Sequence, residues 1–225
     1  MITLNINGLN VSVEEGTTVL EAARFIGFPI PTLCHMDGLS PYGACRVCLV
    51  EIGKEPRTKL VSSCTYPAEE GLVVRTASSR VVRTRRMVIE LLLASCPQSK
   101  VIQDLASSHG VNKQRFKQEH DDCILCGLCV RMCSEQMMAK AIGFSGRGNE
   151  RALGTPFNVK SEACRQCGGC IYVCPACQLR CSYTEKDSPV CGGCQNLPPP
   201  CLEKEKFDDM MCFMSPCVAC EIAPK

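Results

Sequence analysis

The chain has 225 residues, of which 45% are hydrophobic, and a formal net charge of +2. This composition is typical of a globular protein with room for two or three small domains. The nearly balanced charge and the aromatic content of 5% argue against a nucleic-acid-binding protein. The 21 cysteines are the unusual feature, because so high a fraction indicates either a disulfide scaffold or a protein loaded with metal.

The context of these cysteines favours metal. The first residues alternate between apolar and polar types, so we expect no secretory signal and predict a cytoplasmic protein. Thiols stay reduced in the cytoplasm, and an odd number of cysteines in C-x2-C pairs fits a disulfide framework poorly. No apolar run approaches the roughly 20 residues that cross a bilayer, so we expect no direct membrane span.

The predicted fold class is α+β, beginning with a β-grasp domain over residues 1–78. Residues 2–6 alternate between apolar and polar side chains, and residues 11–13 repeat the alternation. Asn7 and Gly8 between them favour a tight turn. The sequence therefore predicts an N-terminal β-hairpin.

A helix and two more strands are predicted within the same domain. Thr18 and Glu21 have the spacing of a capping box at the start of an apolar helix, which Gly27 can end. Residues 49–52 and 72–75 are the further strand candidates.

Residues 79–118 are predicted to form a helical connector. Ser79 to Ser95 has helical periodicity, and four arginines are expected on or near its polar side, namely Arg80, Arg83, Arg85 and Arg86. A solvated helix face is one interpretation of this pattern, and a patch that docks an acidic partner is the other.

The first cysteine set has the spacing C-x10-C-x2-C-x15-C and consists of Cys34, Cys45, Cys48 and Cys64. Four thiolates can hold two irons, and a loop with glycines at Gly38 and Gly43 can direct its amide N–H groups at the sulfurs. We therefore predict one [2Fe–2S] cluster here. A zinc site is the alternative, and the long first interval disfavours it.

Residues 119–177 carry two C-x2-C-x2-C-x3-C runs, made of Cys123, Cys126, Cys129 and Cys133, then of Cys164, Cys167, Cys170 and Cys174. In bacterial ferredoxins the fourth cysteine of such a run binds the other cluster. We therefore predict one [4Fe–4S] cluster on Cys123, Cys126, Cys129 and Cys174. We predict a second on Cys164, Cys167, Cys170 and Cys133.

Residues 178–225 are predicted to be a cysteine-rich extension that needs a metal to become ordered. Two C-x2-C pairs are its candidate ligands, namely Cys191, Cys194, Cys217 and Cys220. Alternate ligands are Cys177, Cys181, Cys201 and Cys212. A zinc ribbon and a third [4Fe–4S] cluster both fit this spacing, and an extension without metal is the third alternative.

The order of these motifs resembles a known electron-relay module. It is similar to the N-terminal module of the large peripheral subunit of respiratory complex I and to the N-terminal part of [FeFe] hydrogenases. It also resembles the small diaphorase subunit of NAD-linked [NiFe] hydrogenases, the electron-bifurcating type included, and the relay subunits of NAD-dependent formate dehydrogenases. The residues that carry the resemblance are the cysteine sets, residues 91–95, residues 101–106 and the spacer at 142–157.

One departure from the family is clear. Its members commonly carry a His-x3-Cys-x2-Cys-x5-Cys site between the two cluster domains, whereas residues 91–106 contain Cys96 as their one cysteine and no histidine. We therefore expect that this additional cluster is absent and that Cys96 is a small buried thiol.

The resemblance implies a non-catalytic electron-transfer subunit. Its expected partners are a flavin/NAD(P)H-binding subunit and a catalytic subunit, of the NAD-linked hydrogenase type first and of the formate dehydrogenase type second. A ferredoxin is a further candidate partner. The alternatives are a stand-alone ferredoxin-like shuttle and a zinc-rich binding or scaffold module.

Overall fold

The computed structural model describes residues 1–112, 115–117, 123–159, 161–165 and 167–176. The chain divides into two compact units, Met1–Cys126 and Gly127–Lys225. The predicted ligands of the extension, from Cys177 to Cys220, lie outside the described residues.

The N-terminal unit contains a five-stranded mixed sheet. Its strands are β1 (Ile2–Ile6), β2 (Leu9–Val13), β3 (Leu49–Ile52), β4 (Lys59–Ser62) and β5 (Val73–Arg75). They lie in the order β2-β1-β5-β3-β4, with β1 parallel to β5 and the other neighbours antiparallel. The α+β class is confirmed. The sequence pattern does not predict β4, whose pairing with β3 is formed only in the folded chain.

The predicted hairpin is present between β1 and β2. Asn7 and Gly8 have φ values of 51° and 92°, the left-handed region that a tight hairpin turn requires at both positions. The Oδ1 of Asn5 accepts the N–H of Gly8 at 2.9 Å. This bond fixes the turn from within the preceding strand.

Helix α1 (Val19–Phe25) begins where the capping box predicts. The N–H of Thr18 donates to Glu21 at 2.7 Å, and the N–H of Glu21 donates to the Thr18 hydroxyl at 3.3 Å. Gly27, at φ 80°, follows the helix end. The buried face of α1 packs into the core formed with β1, β3 and β5, and this packing sets where the next loop, which contains three cysteines of the first set, begins.

Two further helices complete this unit, α2 (Ser79–Ser95) and α3 (Lys100–Ser108). The hydroxyls of Ser78 and Ser99 cap their N-termini. Cys96 follows α2 and is 1% exposed, so the prediction of a buried thiol is confirmed.

The prediction that Arg85 lies on or near the polar side of α2 is wrong. Arg80, Arg83 and Arg86 are exposed, whereas Arg85 is only 7% exposed. The reason is its position one turn after Val81 and one turn before Ile89, both fully buried. Arg85 therefore belongs to the inward face of the helix, and its charge lies inside the N-terminal unit.

The C-terminal unit contains two short helices, α4 (Leu128–Arg131) and α5 (Gly169–Tyr172), that pack against each other. A π-helical segment, Met132–Gln136, continues α4. The spacer forms a two-stranded antiparallel ribbon of β6 (Gly143–Ser145) and β7 (Ala152–Gly154). Among the helices that the structure describes, none combines the length and apolarity that a membrane crossing needs.

Candidate metal centres

The four cysteines of the first set are buried together in the N-terminal unit. Cys34, Cys45 and Cys48 lie in the segment between α1 and β3, and Cys64 follows β4. Each is at most 4% exposed. Cys48 and Cys64 also belong to the hydrophobic core that contains α1, so the core itself positions two of the four thiols.

The sulfur atoms of this set contact one another. The Sγ atoms of Cys48 and Cys64 are 3.4 Å apart. Hydrogen bonds with the side chains of Cys45 and then Cys64 lower the pKa of Cys34 to about 2, and a hydrogen bond with Cys64 lowers the pKa of Cys48 to about 6. Hydrogen bonds with Cys34 raise the pKa values of Cys45 and Cys64. The four thiols thus form one continuous network.

The loop that carries the first three cysteines of the first set has left-handed backbone conformations at three positions. Gly38 and Gly43 have φ values of 85° and 69°, and Arg46 has φ 58°. A Cβ at Gly43 would lie 3.1 Å from Cγ2 of Thr65, so this position is restricted by space as well as by conformation. The N–H of Cys45, just beyond the predicted glycine loop, donates to Cys34 Sγ at 3.4 Å.

In the C-terminal unit, Cys133 lies with the second cysteine run. A cavity of about 60 Å³ is lined by Cys133 of the first run together with Cys164, Cys167 and Cys170 of the second. Burial, followed by the nearby charges of Cys167, Cys133 and Cys164, raises the pKa of Cys170 to about 11. The fourth cysteine of the first run therefore lies beside the first three of the second run.

The two runs share a backbone feature next to their second cysteines. Gly127 follows Cys126 with φ 70°, and Gly168 follows Cys167 with φ 68°. These glycines are the N-caps of α4 and α5. The left-handed glycine reverses the chain so that a short helix begins directly after the loop. The internal duplication seen in the cysteine spacing thus extends to the local conformation.

Backbone amides also approach individual sulfurs in these runs. The N–H of Ala141 donates to Cys133 Sγ at 3.2 Å, and the N–H of Leu125 donates to Cys123 Sγ at 3.4 Å. Amide donors of this kind stabilise the negative charge of a ligating thiolate.

The remaining predicted ligands are distributed between the units. Cys123 and Cys126 lie in the N-terminal unit, and Cys129 and Cys174 lie in the C-terminal unit. Cys129 is part of α4 and Cys174 comes shortly after α5, both half-buried.

The donor set fits iron–sulfur clusters. No disulfide joins the thirteen cysteines among the described residues, and thiolates are the ligands that such clusters require. Over these same parts of the chain, no three His, Cys, Asp or Glu side chains are placed to hold one metal ion.

Sequence reasoning missed one feature of the first site. Arg85 donates to the backbone oxygens of Val47 and Leu49, the two neighbours of Cys48. A signal was available, because Val81, Arg85 and Ile89 follow the four-residue spacing of one helix face.

Comparison with known protein families finds two iron–sulfur domains in the chain. A model described as a 2Fe-2S iron-sulfur cluster binding domain matches residues 1–79. A model described as a 4Fe-4S dicluster domain matches residues 122–177. The chain therefore contains a 2Fe-2S domain followed by a 4Fe-4S dicluster domain.

Several curated proteins are similar over most of the chain. A subunit of the NADH-quinone oxidoreductase of Rhizobium meliloti is 35% identical over 202 residues, which are 78% of this chain and 23% of that protein. The HndD subunit of the NADP-reducing hydrogenase of Solidesulfovibrio fructosivorans is 32% identical over 78% of this chain and 35% of that protein. The alpha subunit of NADPH-Fe(3+) oxidoreductase from Geobacter sulfurreducens is 32% identical over 78% of this chain and 23% of that protein.

A solved structure extends the similarity. A chain in the crystal structure of NAD+-reducing [NiFe]-hydrogenase in the H2-reduced state aligns with a TM-score of 0.64 and 27% identity, covering 84% of this chain and 92% of that chain. The chain is homologous to subunits of NAD(P)-linked oxidoreductases and hydrogenases, as the motif order implies. It spans about a quarter to a third of the length of the curated relatives.

Proposed function

We propose that this chain is an electron-relay subunit of a multisubunit NAD(P)-linked oxidoreductase. The observation that carries the proposal is the position of Cys133 beside Cys164, Cys167 and Cys170. This position is the one expected if each cysteine run supplies the fourth ligand of the other run's cubane cluster, as the spacing of the runs predicts. A chain with several one-electron carriers conducts electrons and needs no substrate pocket of its own.

The proposed ligands are those that the cysteine spacing predicts. One [2Fe–2S] cluster is held by Cys34, Cys45, Cys48 and Cys64. One [4Fe–4S] cluster is held by Cys164, Cys167, Cys170 and Cys133, and another by Cys123, Cys126, Cys129 and Cys174. When bound, these groups accept and donate single electrons. The contacts among the first four thiols support the first assignment.

The role of the polypeptide is to hold these groups and to control their surroundings. Burial of the first four thiols excludes water from the [2Fe–2S] site. The amide donors from Cys45 and Ala141 stabilise negative charge on Cys34 and Cys133. Solvent exclusion and these hydrogen bonds are two of the factors that set cluster potentials.

The proposed partners are a flavin/NAD(P)H-binding subunit and a catalytic subunit, with a ferredoxin as a further electron donor or acceptor. A hydrogenase is the preferred catalytic partner, because the aligned chain of the NAD+-reducing hydrogenase is matched over 92% of its length. A formate dehydrogenase is the second candidate. We place the complex in the cytoplasm, where these thiols remain reduced.

Iron and sulfide content test the cofactor part of the proposal. The protein is purified anaerobically from its native host, and we expect about ten irons per chain from the three clusters. An additional four irons, or one zinc, would identify the metal in the extension. Protein with little iron, zinc-filled cysteines and no visible absorption would contradict the proposal and support a zinc-rich binding or scaffold module.

The subunits that co-purify test the relay part. We expect a flavin-containing subunit together with a nickel–iron subunit, and a molybdenum or tungsten subunit would identify the formate dehydrogenase alternative instead. Elution of an iron-loaded monomer that free partners reduce would contradict the relay and support the stand-alone shuttle.

A further inference from the structure

Arg85 is a buried cation whose charge has no ion-pair partner within the described part of the chain. By contrast, the buried carboxylates of Glu90 and Glu51 each pair with an arginine, Arg115 and Arg80 respectively. Arg85 contacts backbone oxygens instead. Its Nε donates to Val47 O at 3.0 Å, and its Nη2 donates to Leu49 O at 2.7 Å and to Thr76 O at 3.2 Å.

Burying a guanidinium in this way is costly unless its environment stabilises the charge. Three of its five N–H groups have carbonyl acceptors, yet these oxygens are neutral and leave the net charge in place. Burial accordingly lowers the pKa of Arg85, while the negative charge of Cys48 acts in the opposite direction. Arginine nevertheless stays protonated in proteins, so the charge is permanent.

The contacts place this charge beside the backbone that carries one ligand of the first site. Val47 and Leu49 are the residues on either side of Cys48. A single planar guanidinium therefore bonds the backbone both before and after that cysteine. Helix α2 also packs against β3, which begins at Leu49. The side chain thus links the helix to the backbone segment that carries Cys48.

We infer that Arg85 is a positioning residue for the [2Fe–2S] cluster. It fixes the backbone around Cys48 and supplies a buried positive charge that raises the reduction potential of the cluster. The inference rests on the proposed cluster ligation by the first four cysteines. Reduction adds one electron to a centre that four thiolates already make negative. A fixed cation in a low-dielectric surrounding favours that added charge.

The test is a redox titration of the holoprotein, which is monitored through the electron paramagnetic resonance signal of the reduced [2Fe–2S] cluster. Arg85→Gln removes the charge and retains part of the hydrogen bonding. Arg83→Gln removes the same charge from an exposed position two residues earlier on α2, so it is the matched control. Arg85→Lys keeps the charge but cannot reproduce the planar arrangement of donors.

At a fixed applied potential, we expect Arg85→Gln to lower the ratio of reduced to oxidised [2Fe–2S] cluster by at least tenfold. This change corresponds to a decrease of about 59 mV in the reduction potential of a one-electron couple. Arg83→Gln should leave the potential unchanged, since solvent screens its charge. A potential in Arg85→Gln that stays within the range of Arg83→Gln overturns the inference.

If Arg85→Gln does not retain its cluster, the Arg85→Lys variant tests the effect of the charge on the potential. We expect the lysine variant to load the cluster and to keep a potential close to that of the unaltered protein. A tenfold decrease of the ratio in Arg85→Lys, or failure of this variant to load, overturns the assignment of a charge effect. Absence of any [2Fe–2S] signal in the unaltered protein would instead contradict the proposed function.

Discussion

Three nitrogen atoms of Arg115 donate hydrogen bonds to the carboxylate of Glu90. The Nε and Nη2 of Arg115 lie 2.9 Å and 2.7 Å from Oε1 and Oε2 of Glu90, and the backbone N–H of Arg115 lies 2.7 Å from Oε1. Glu90 is part of α2, so this pair attaches the segment after α3 to the middle of the helix that carries Arg85. The hydrogen bonds from Arg115 lower the pKa of Glu90.

The first prediction concerns this pair. Because the folded-state pKa of Glu90 is lowered, its contribution to stability is present above the ordinary glutamate pKa of about 4.3 and is lost as the pH falls through the lower folded value. Glu90→Gln should remove the contribution at neutral pH, and the backbone N–H of Arg115 should exchange several-fold faster in hydrogen–deuterium exchange.

Asp104→Asn is the control for the Glu90 variant. Asp104 forms an ion pair with Lys100 at 2.7 Å, and both side chains are mainly exposed. Exposed ion pairs four residues apart on a helix contribute little to the stability of a protein, so Asp104→Asn should not change the exchange rate at Arg115. An unchanged rate in Glu90→Gln as well would show that the pair does not hold this segment.

The second prediction concerns the first cysteine set. Cys64→Ser should remove about two irons per chain and the [2Fe–2S] signal, because the cluster needs four thiolates. The cubane signals should remain. The matched control is Cys96→Ala, which changes another buried cysteine of the same unit, and it should retain all the iron. Loss of iron in Cys96→Ala and not in Cys64→Ser would contradict the ligand assignment.

The third prediction concerns the exchange of fourth ligands between the two runs. If Cys133 and Cys164 bind one cluster, the double variant Cys133→Ser/Cys164→Ser loses about four irons, no more than either single variant. The double variant Cys133→Ser/Cys123→Ser should lose about eight, because two clusters are affected. Iron analysis of the anaerobically purified variants gives both numbers. The reverse pattern would mean that each run keeps its own fourth cysteine.

The fourth prediction concerns the start of α1. Thr18→Ala removes the hydroxyl that accepts the N–H of Glu21, and loss of such a cap destabilises a protein by about 1 kcal/mol. Urea unfolding of the holoprotein, followed by circular dichroism, should show this decrease. Thr17→Ala is the control, since Thr17 bonds its neighbours through the backbone. Equal midpoints for the two variants would contradict a stabilising role of the capping box.

Local patterns predicted most of the N-terminal unit. The hairpin at Asn7 and Gly8 and the capping box at Thr18 depend on residues that are close in sequence, so their signals are contained in short windows. Strand β4 has no such signal. Its residues pair with β3 only after the chain has brought them together, and the sequence of β4, Lys-Leu-Val-Ser, does not alternate between apolar and polar side chains.

The candidate metal centres were likewise predictable from the sequence only in part. Spacing predicted which cysteines belong to the two runs, because a cubane requires closely spaced thiolates. It also predicted the exchange of fourth ligands, and the position of Cys133 in the cavity with Cys170 agrees with that expectation. The ligation itself stays a prediction until iron is measured.

The sequence by itself determined the kind of chemistry, since the number, type and spacing of the cysteines specify thiolate-bound iron regardless of how the rest of the chain folds. Only the tertiary structure decided the environment of that chemistry. The spacing of Val81, Arg85 and Ile89 indicates that Arg85 lies on the apolar face of α2. Only the packing of α2 on β3 decides that its guanidinium contacts the backbone on either side of Cys48. That packing is a sum of long-range contacts which no short window of residues contains.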